Sequence, residues 1–127
     1  MKKYVQRHSV KYAKAASLTA QQTPTTADLA WAAGFLEGEG SFTSNLSKAK
    51  WYQRIQGYQN NIEPLKRMQA LFGGTIWAFP KKREQATQVG HVWQVNGARA
   101  RGVMFTLFTF LSAKRRQQVR VALQGGY

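Results

Sequence analysis

One segment, residues 29–42, constrains the fold of this chain more than any other: it reads LAWAAGFLEGEGSF. Apolar and small residues fill its first half, which predicts a helix that is apolar nearly all round and therefore buried. The two threonines before the segment can cap the helix, and Asp28 lies in its first turn, where the helix dipole favours an anion. The helix then runs into Glu37 and Glu39, and glycines lead on into a strand. Two carboxylates at the end of a buried helix require a functional explanation.

Small residues recur along this helix at Ala30, Gly34 and Gly38. A stripe of this kind lets a second helix backbone approach closely. The second helix can belong to the same chain or to a second copy of it, and the stripe alone does not separate the two. The segment is too short, and too closely followed by charge, to span a bilayer.

The chain is strongly basic: its 127 residues carry 19 Lys and Arg against 5 Asp and Glu, a net charge of +14. This balance favours nucleic acid as the partner, with an anionic membrane surface second. The apolar run at residues 103–111 is far shorter than the ~20 residues that a membrane span needs, so no membrane partner is expected. The chain has no cysteine, which excludes disulfides and zinc fingers and fits a reducing compartment. The localisation is otherwise open.

Two regions are expected: a basic N-terminal extension, residues 1–25, and one domain, residues 26–127. Up to residue 26 the chain contains no acidic residue. That composition fits a transit peptide, an arm that contacts the DNA backbone, or a disordered tail, and the sequence does not separate these.

The hydrophobic pattern of the domain predicts helix, strand, strand, helix, strand, strand, helix and helix. The strands are expected at residues 41–47, 51–59, 75–79 and 89–95, and the last helix after the basic run at residues 114–116. This order is typical of an α+β fold in which helices cover one face of an antiparallel four-stranded sheet. The other face is then open and lined by polar and basic side chains. His91 falls on the inward face of the fourth strand, which favours a core or rim histidine over a ligand.

Residues 32–40, AAGFLEGEG, resemble the motif of the LAGLIDADG homing endonucleases. Ala32 stands where that family usually has leucine, and glutamates stand where the family name has aspartates. Three later segments also resemble the family: residues 59–76, residues 95–97 with the helix after them, and FLSAKRRQ at residues 110–117. The resemblance covers about residues 26–124.

The resemblance implies a curved sheet that forms a DNA-binding saddle. It implies catalytic roles for Glu39, Gln59 and Lys114, in which Gln59 orients water and Lys114 supplies positive charge near the scissile phosphate. Arg115 is the alternative to Lys114 as the active-site cation. The Glu39 carboxylate and the Gly38 carbonyl would hold Mg²⁺, for which Mn²⁺ could substitute.

The resemblance also puts the motif helix at a dimer interface, packed against its copy. A single motif in 127 residues implies a homodimer and a palindromic or nearly palindromic target. Glu37 would lie in this interface or cap the partner's helix. The expected interface residues are Ala30, Ala33, Gly34, Glu37 and Gly38.

The outward side chains of the four strands are the expected contacts to double-stranded DNA. Those that form hydrogen bonds would read base edges, and Lys and Arg could equally hold phosphates. Trp77 and Phe79 are unusual on such a face, so either they contact thymine methyl groups or the expected strand register is wrong by one residue. The full set is Ser41, Thr43, Asn45, Lys50, Tyr52, Arg54, Gln56, Tyr58, Thr75, Trp77, Phe79, Lys81 and Gln94.

The sequence therefore predicts a site-specific, Mg²⁺-dependent DNA endonuclease of the homing type. One alternative is a non-cleaving binder on the same fold, either an intron RNA maturase, which would bind its own intron RNA, or a DNA-binding regulator. A small basic RNA-binding protein of ribosomal type is a third class, in which the paired acids would have no catalytic role. Metal-dependent cutting of DNA separates the first class from the other two.

Overall fold

A computed structural model describes residues 19–80 and 89–125 of the chain. All eight predicted elements occur in the predicted order, with a short 3-10 helix, Phe108–Phe110, before the last one. The helices are α1 (Thr26–Glu39), α2 (Glu63–Phe72), α3 (Gly97–Leu107) and α4 (Ala113–Gln124). The strands are β1 (Gly40–Ser47), β2 (Lys50–Gln59), β3 (Thr75–Pro80) and β4 (Val89–Asn96). Within these ranges, no helix has the length and apolar character that crossing a membrane requires.

The four strands form one antiparallel sheet in the order β1-β2-β4-β3. Two hairpins, β1 with β2 and β3 with β4, are therefore joined through the β2–β4 pair at the centre of the sheet. The predicted α+β class is confirmed.

The core lies between the helices and one face of the sheet. Leu36 of α1, Ile55 of β2, Trp93 of β4, Met104 of α3 and Val119 of α4 are all fully buried in it. The inward faces of all four helices meet this side of the sheet, so the opposite face stays open, as the sequence predicted.

Helix α1 begins with the predicted cap. The Thr25 hydroxyl accepts a hydrogen bond from the Asp28 N–H (3.1 Å), and the Asp28 carboxylate accepts one from the Thr25 N–H (2.9 Å). The hydrogen bond from the Thr25 backbone is the main cause that lowers the pKa of Asp28. Arg67 of α2 lies 3.3 Å from the Asp28 carboxylate and 4.0 Å from the centre of the Trp31 ring, so it holds the start of α1 against α2.

Two expectations about the helices were wrong. Helix α1 is buried on one side only, since Ala30, Gly34 and Gly38 are exposed. Because nearly every position of the helix is apolar or small, the sequence pattern did not show which side faces the core. Helix α4 begins at Ala113, so the basic run at residues 114–116 lies inside its first turn and not before the helix.

The described end of the N-terminal extension contacts the domain. The backbone N–H groups of Gln21 and Gln22 both donate to the Ala70 carbonyl near the end of α2, at 2.8 and 3.2 Å. Residues 1–18, which make up most of the predicted extension, lie outside the described residues.

Candidate active site and nucleic-acid interface

A cleft of about 350 Å³ opens where β2 ends and β4 begins. It brings together two of the predicted catalytic residues, Glu39 and Gln59, which lie 20 positions apart in the sequence. Glu39 reaches it from the last residue of α1, and Gln59 from the last residue of β2. The described residues that line the cleft are Glu39, Tyr58, Gln59, Asn60, Phe79, Gly90 and His91.

Gln59 and Glu39 are the polar side chains of the cleft with predicted catalytic roles, and a local hydrogen bond orients Gln59. The Gln59 side-chain carbonyl accepts from the Asn60 N–H at 2.9 Å, which leaves the amide NH₂ of Gln59 as a donor. Glu39 is exposed at the C-terminal end of α1, where the helix dipole disfavours a negative charge. A cation bound by the Glu39 carboxylate would offset this unfavourable interaction with the helix dipole.

The sequence analysis missed His91 as a member of this cleft. His91 is paired with Gln59 across the β2–β4 ladder, so the two side chains share one face of the sheet. Its Nδ1 lies 2.8 Å from the Asn60 carbonyl. The inward placement on β4 was predicted correctly, but the pairing with Gln59 depends on the register between two strands that are distant in the sequence.

Lys114 and Arg115, the two candidates for the active-site cation, have different surroundings. Arg115 donates two hydrogen bonds to the backbone carbonyl of Glu37, from Nη2 at 2.8 Å and from Nε at 3.2 Å. The Arg115 guanidinium is therefore bound at the C-terminal end of α1. Lys114 is exposed in the first turn of α4 and is not among the described residues that line the cleft.

Glu37 has a partner in its own chain that the sequence analysis did not predict, while its place in the dimer interface or as a cap on the partner's helix stays a prediction. Its carboxylate accepts hydrogen bonds from the Ser112 N–H at 3.0 Å and from the Ser112 hydroxyl at 2.5 Å. These two bonds, foremost that of the hydroxyl, hold the pKa of Glu37 below its ordinary value, and Arg115 and Lys114 lower it further. Helix α4 has no acid in its first turn, so Glu37 supplies the negative charge that its N-terminus favours.

Among the predicted interface residues, Ala33 is corrected. It is 2 % exposed and packs in the core, so it is not available to a second chain. Ala30, Gly34 and Gly38 are exposed and share one side of α1. No described atom outside the helix lies within 4 Å of the place where a Cβ on Gly34 or Gly38 would be.

The open face of the sheet carries the predicted outward residues in rows that cross the strands. Directly opposite residues share a face, and one row runs Ser41, Gln56, Gln94 and Thr75 across all four strands. The next row holds Thr43, Arg54 and Asn96, followed by Asn45 with Tyr52 and by Lys50 at the end of the hairpin. The predicted contact Lys81 lies outside the described residues.

Hydrogen bonds between neighbours hold several of these side chains in place. Arg54 donates from Nε to the Asn96 side-chain carbonyl and from Nη2 to the Tyr52 hydroxyl, both at 2.8 Å. Gln56 donates to the Gln94 side-chain carbonyl at 2.7 Å. The sequence analysis did not include Asn96 among the DNA contacts, although its spacing of two from Gln94 puts it on the same face of β4.

One corner of the open face is apolar. Trp77 and Phe79 do lie on this face, since they oppose Val92 and Gly90, so the expected register of β3 was correct. Val92 is only 3 % exposed, although it faces away from the core. A Cβ on Gly90 would lie 2.6 Å from the Phe79 ring, so the ring lies directly against the Gly90 backbone. This corner borders the cleft, which Phe79 and Gly90 also line.

The sequence matches no protein-family model and no curated protein sequence. Two of the solved structures with a similar fold are the following. The first is the LAGLIDADG meganuclease I-AabMI bound to uncleaved DNA, with a TM-score of 0.52 at 13 % identity over 76 % of this chain and 35 % of that one. The second is the group I intron-encoded homing endonuclease I-CeuI complexed with DNA, with a TM-score of 0.50 at 18 % identity over 80 % of this chain and 55 % of that one.

This chain thus spans between about a third and just over half of the length of those two chains. At such low identity the likeness establishes the architecture: the chain has the fold seen in LAGLIDADG homing endonucleases.

Proposed function

We propose that this chain is a site-specific, metal-dependent DNA endonuclease that acts as a homodimer on a palindromic or nearly palindromic target. The observation that carries the proposal is the meeting of Glu39 and Gln59 in one cleft at the edge of the open sheet face. The fold shared with two DNA-bound homing endonucleases supports the same function.

The open face is suited to duplex DNA. Its polar rows offer hydrogen-bond donors and acceptors of the kind that read base edges in the major groove, and Arg54 adds positive charge among them. The chain's net charge of +14 supplies attraction to phosphates. The bonds from Arg54 to Asn96 and Tyr52 keep this part of the surface ordered before DNA arrives, which reduces the entropy lost on binding.

The donor set at the end of α1 fits Mg²⁺. Carboxylate and carbonyl oxygens are hard ligands, and Glu39 and Gly38 offer one of each. Within the described residues, no three acidic or histidine side chains come together as a metal site. Mg²⁺ is commonly held by only one or two carboxylates together with substrate phosphates, so one Glu39 from each of two chains is a sufficient set.

A divalent cation held by the Glu39 carboxylate and the Gly38 carbonyl would lower the pKa of a bound water and would stabilise the leaving oxygen. The Gln59 amide NH₂ donates to the attacking water and so orients it. Lys114, and not Arg115, meets the scissile phosphate in this proposal, because the Arg115 guanidinium already binds the Glu37 carbonyl. Glu37 and Ser112 hold the end of α1, which carries Gly38 and Glu39.

The exposed side of α1 supports the homodimer. Ala30, Gly34 and Gly38 leave enough space for the backbone of a second α1 to pack against the first. Helices that cross there would bring the two Glu39 residues toward each other at the ends of the motif helices.

A cleavage assay with a matched acid variant tests the proposal. Wild type, Glu39→Gln and Glu63→Gln are incubated with a library of palindromic duplexes and Mg²⁺, with Mn²⁺ and EDTA in parallel. Glu63 is an exposed acid on α2, so Glu63→Gln makes the same change of charge away from the cleft.

We expect Glu63→Gln to cut like wild type, and Glu39→Gln to lose about a thousandfold or more in rate while binding DNA as tightly or more tightly. Mn²⁺ should replace Mg²⁺, and EDTA should stop the reaction. Cutting by Glu39→Gln at the wild-type rate would remove Glu39 from the mechanism.

The apolar corner favours a second candidate, a non-cleaving RNA binder on the same fold. Tyr58, Trp77 and Phe79 offer aromatic rings on the open face, and unpaired RNA bases are commonly recognised by stacking on such rings. Tight binding to single-stranded RNA, without metal-dependent cutting of any duplex, would select this function.

A further inference from the structure

The orientation of the His91 ring is fixed by the chain itself. Its Nδ1 lies 2.8 Å from the Asn60 carbonyl oxygen, which can only accept a hydrogen bond. Nδ1 must therefore carry the proton. In the neutral ring Nε2 is then unprotonated, and its lone pair is free to accept a hydrogen bond.

The neighbours of His91 in the cleft complement this lone pair. Gln59, its cross-strand partner, has its side-chain oxygen on the Asn60 N–H, and its amide NH₂ is available as a donor. Glu39 lines the same cleft with a carboxylate. A water molecule needs both acceptors and a donor around it, and the cleft supplies them from three separate elements.

We infer that His91 accepts, through Nε2, a hydrogen bond from water of a hydrated divalent cation held beside Glu39. The inference rests on the proposed function only for the binding of a cation by Glu39. A histidine that binds at one ring nitrogen and donates to a backbone carbonyl from the other is the arrangement that commonly fixes an imidazole at a metal site. His91 and Gln59 then hold one water, His91 as the acceptor and Gln59 as the donor.

Nuclear magnetic resonance tests this without any cleavage. The chain has two histidines, so a long-range ¹H–¹⁵N spectrum at about pH 8, where a free imidazole is neutral, contains two rings, and His8→Gln assigns them. We expect the Nδ1–H tautomer at His91. Added Mn²⁺ should broaden the His91 ring signals well before those of His8, and Glu39→Gln should abolish that difference.

An Nε2–H tautomer, or equal broadening of both rings, would overturn the inference. A protein that shows selective broadening but cuts no duplex would contradict the proposed nuclease and leave the role of His91 intact. The two proposals can therefore fail separately.

Two substitutions of His91 test whether the side chain binds water or only holds the backbone through its bond to Asn60. An Asn side chain places its amide nitrogen near the position of Nδ1, so His91→Asn keeps the bond to Asn60 and loses the acceptor. His91→Gln reaches the position of Nε2 with an acceptor and loses the bond to Asn60. If His91 binds water, single-turnover cleavage falls about a hundredfold or more in the Asn variant and less in the Gln variant, with similar DNA affinity. The reverse order would mean that His91 only holds the backbone.

Discussion

The Glu37 carboxylate caps the helix that begins after Ser112, accepting from the Ser112 N–H at 3.0 Å and from its hydroxyl at 2.5 Å. In return Arg115, in the first turn of that helix, donates to the Glu37 carbonyl. The C-terminal end of α1 and the N-terminal end of α4 thus complete each other's unsatisfied backbone groups. The residues of α1 that follow, Gly38 and Glu39, are held in position by this contact.

Removing either partner of this contact should destabilise the fold. We expect Ser112→Ala and Glu37→Ala each to lower the free energy of unfolding by about 1 kcal/mol, the usual cost of a lost helix cap. The double variant should lose less than the sum, because both changes remove the hydrogen bond from the Ser112 hydroxyl to the Glu37 carboxylate. Urea denaturation of the four proteins measures this.

Glu63→Ala is the control for this series, since its contact with Lys66 at 3.8 Å is exposed and should contribute little. Fully additive losses at Glu37 and Ser112 would mean that the two residues do not stabilise the helices through their contact.

The contribution of Glu37 should depend on pH in a defined direction. Its pKa in the folded protein is lower than the ordinary value of 4.5, first because of the Ser112 hydroxyl. Between the two pKa values the unfolded chain binds more protons, so stability rises with pH there. The stabilisation is fully present above 4.5 and is lost as the pH falls through the lower, folded pKa.

The measurement is the difference in free energy of unfolding between wild type and Glu37→Gln from about pH 7 down to about pH 3. Asp28 is intact in both proteins, so its own lowered pKa cancels from the difference. A difference that stays constant across the range would contradict the assignment.

Local patterns were sufficient to predict the elements of this fold and the two faces of its strands. Period-two alternation put Tyr52, Arg54 and Gln56 on one side of β2, and the structure has them there. The cap at Thr25 follows from a single residue whose side chain suits that position.

Long-range contacts were where the predictions were wrong or incomplete. Glu37 and Ser112 are 75 residues apart, and His91 and Asn60 are 31 apart. The spacing of residues within one helix or strand does not determine which other element of the fold it contacts. Ala33 was misplaced for a related reason: on a helix that is apolar nearly all round, composition does not distinguish the core side from the exposed side.

DNA binding should weaken steeply with salt. If each subunit of a dimer neutralises about five phosphates, the slope of log affinity against log salt concentration is roughly −9, at about −0.9 per phosphate. Fluorescence anisotropy on a labelled duplex across a salt series gives this slope. A value shallower than about −3 would contradict binding by a broad basic surface.

Variants of Arg54 test whether its charge or its hydrogen-bond geometry contributes to DNA binding on the open face. Arg54→Lys keeps the charge but cannot donate to Asn96 and Tyr52 in the planar geometry of the guanidinium. If Arg54 holds a phosphate, Arg54→Ala reduces the dimer's salt slope by about 2, one contact per subunit, and Arg54→Lys leaves it unchanged. If Arg54 reads a base, both variants keep the slope and lose preference for the target over other duplexes.

Association of two chains through α1 can be tested at Gly34. Gly34 is exposed, and no described atom outside α1 lies within 4 Å of the place of a Cβ, so we expect a leucine there to fit the single chain. Leucine also favours helix over glycine by roughly 0.5–1 kcal/mol, so the stability of the monomer should hold or rise. Two α1 helices, in contrast, would be held apart by the new side chain.

The matched control is Gly102→Leu, which makes the same change at an exposed glycine of α3 that is equally free of described neighbours. Light scattering and cleavage are measured on both variants beside wild type. We expect Gly34→Leu to be a folded monomer that does not cut DNA although Glu39 is intact, and Gly102→Leu to dimerise and cut. A wild-type protein that stays monomeric at micromolar concentration with DNA present would remove the homodimer, and with it a mechanism that needs Glu39 from both chains.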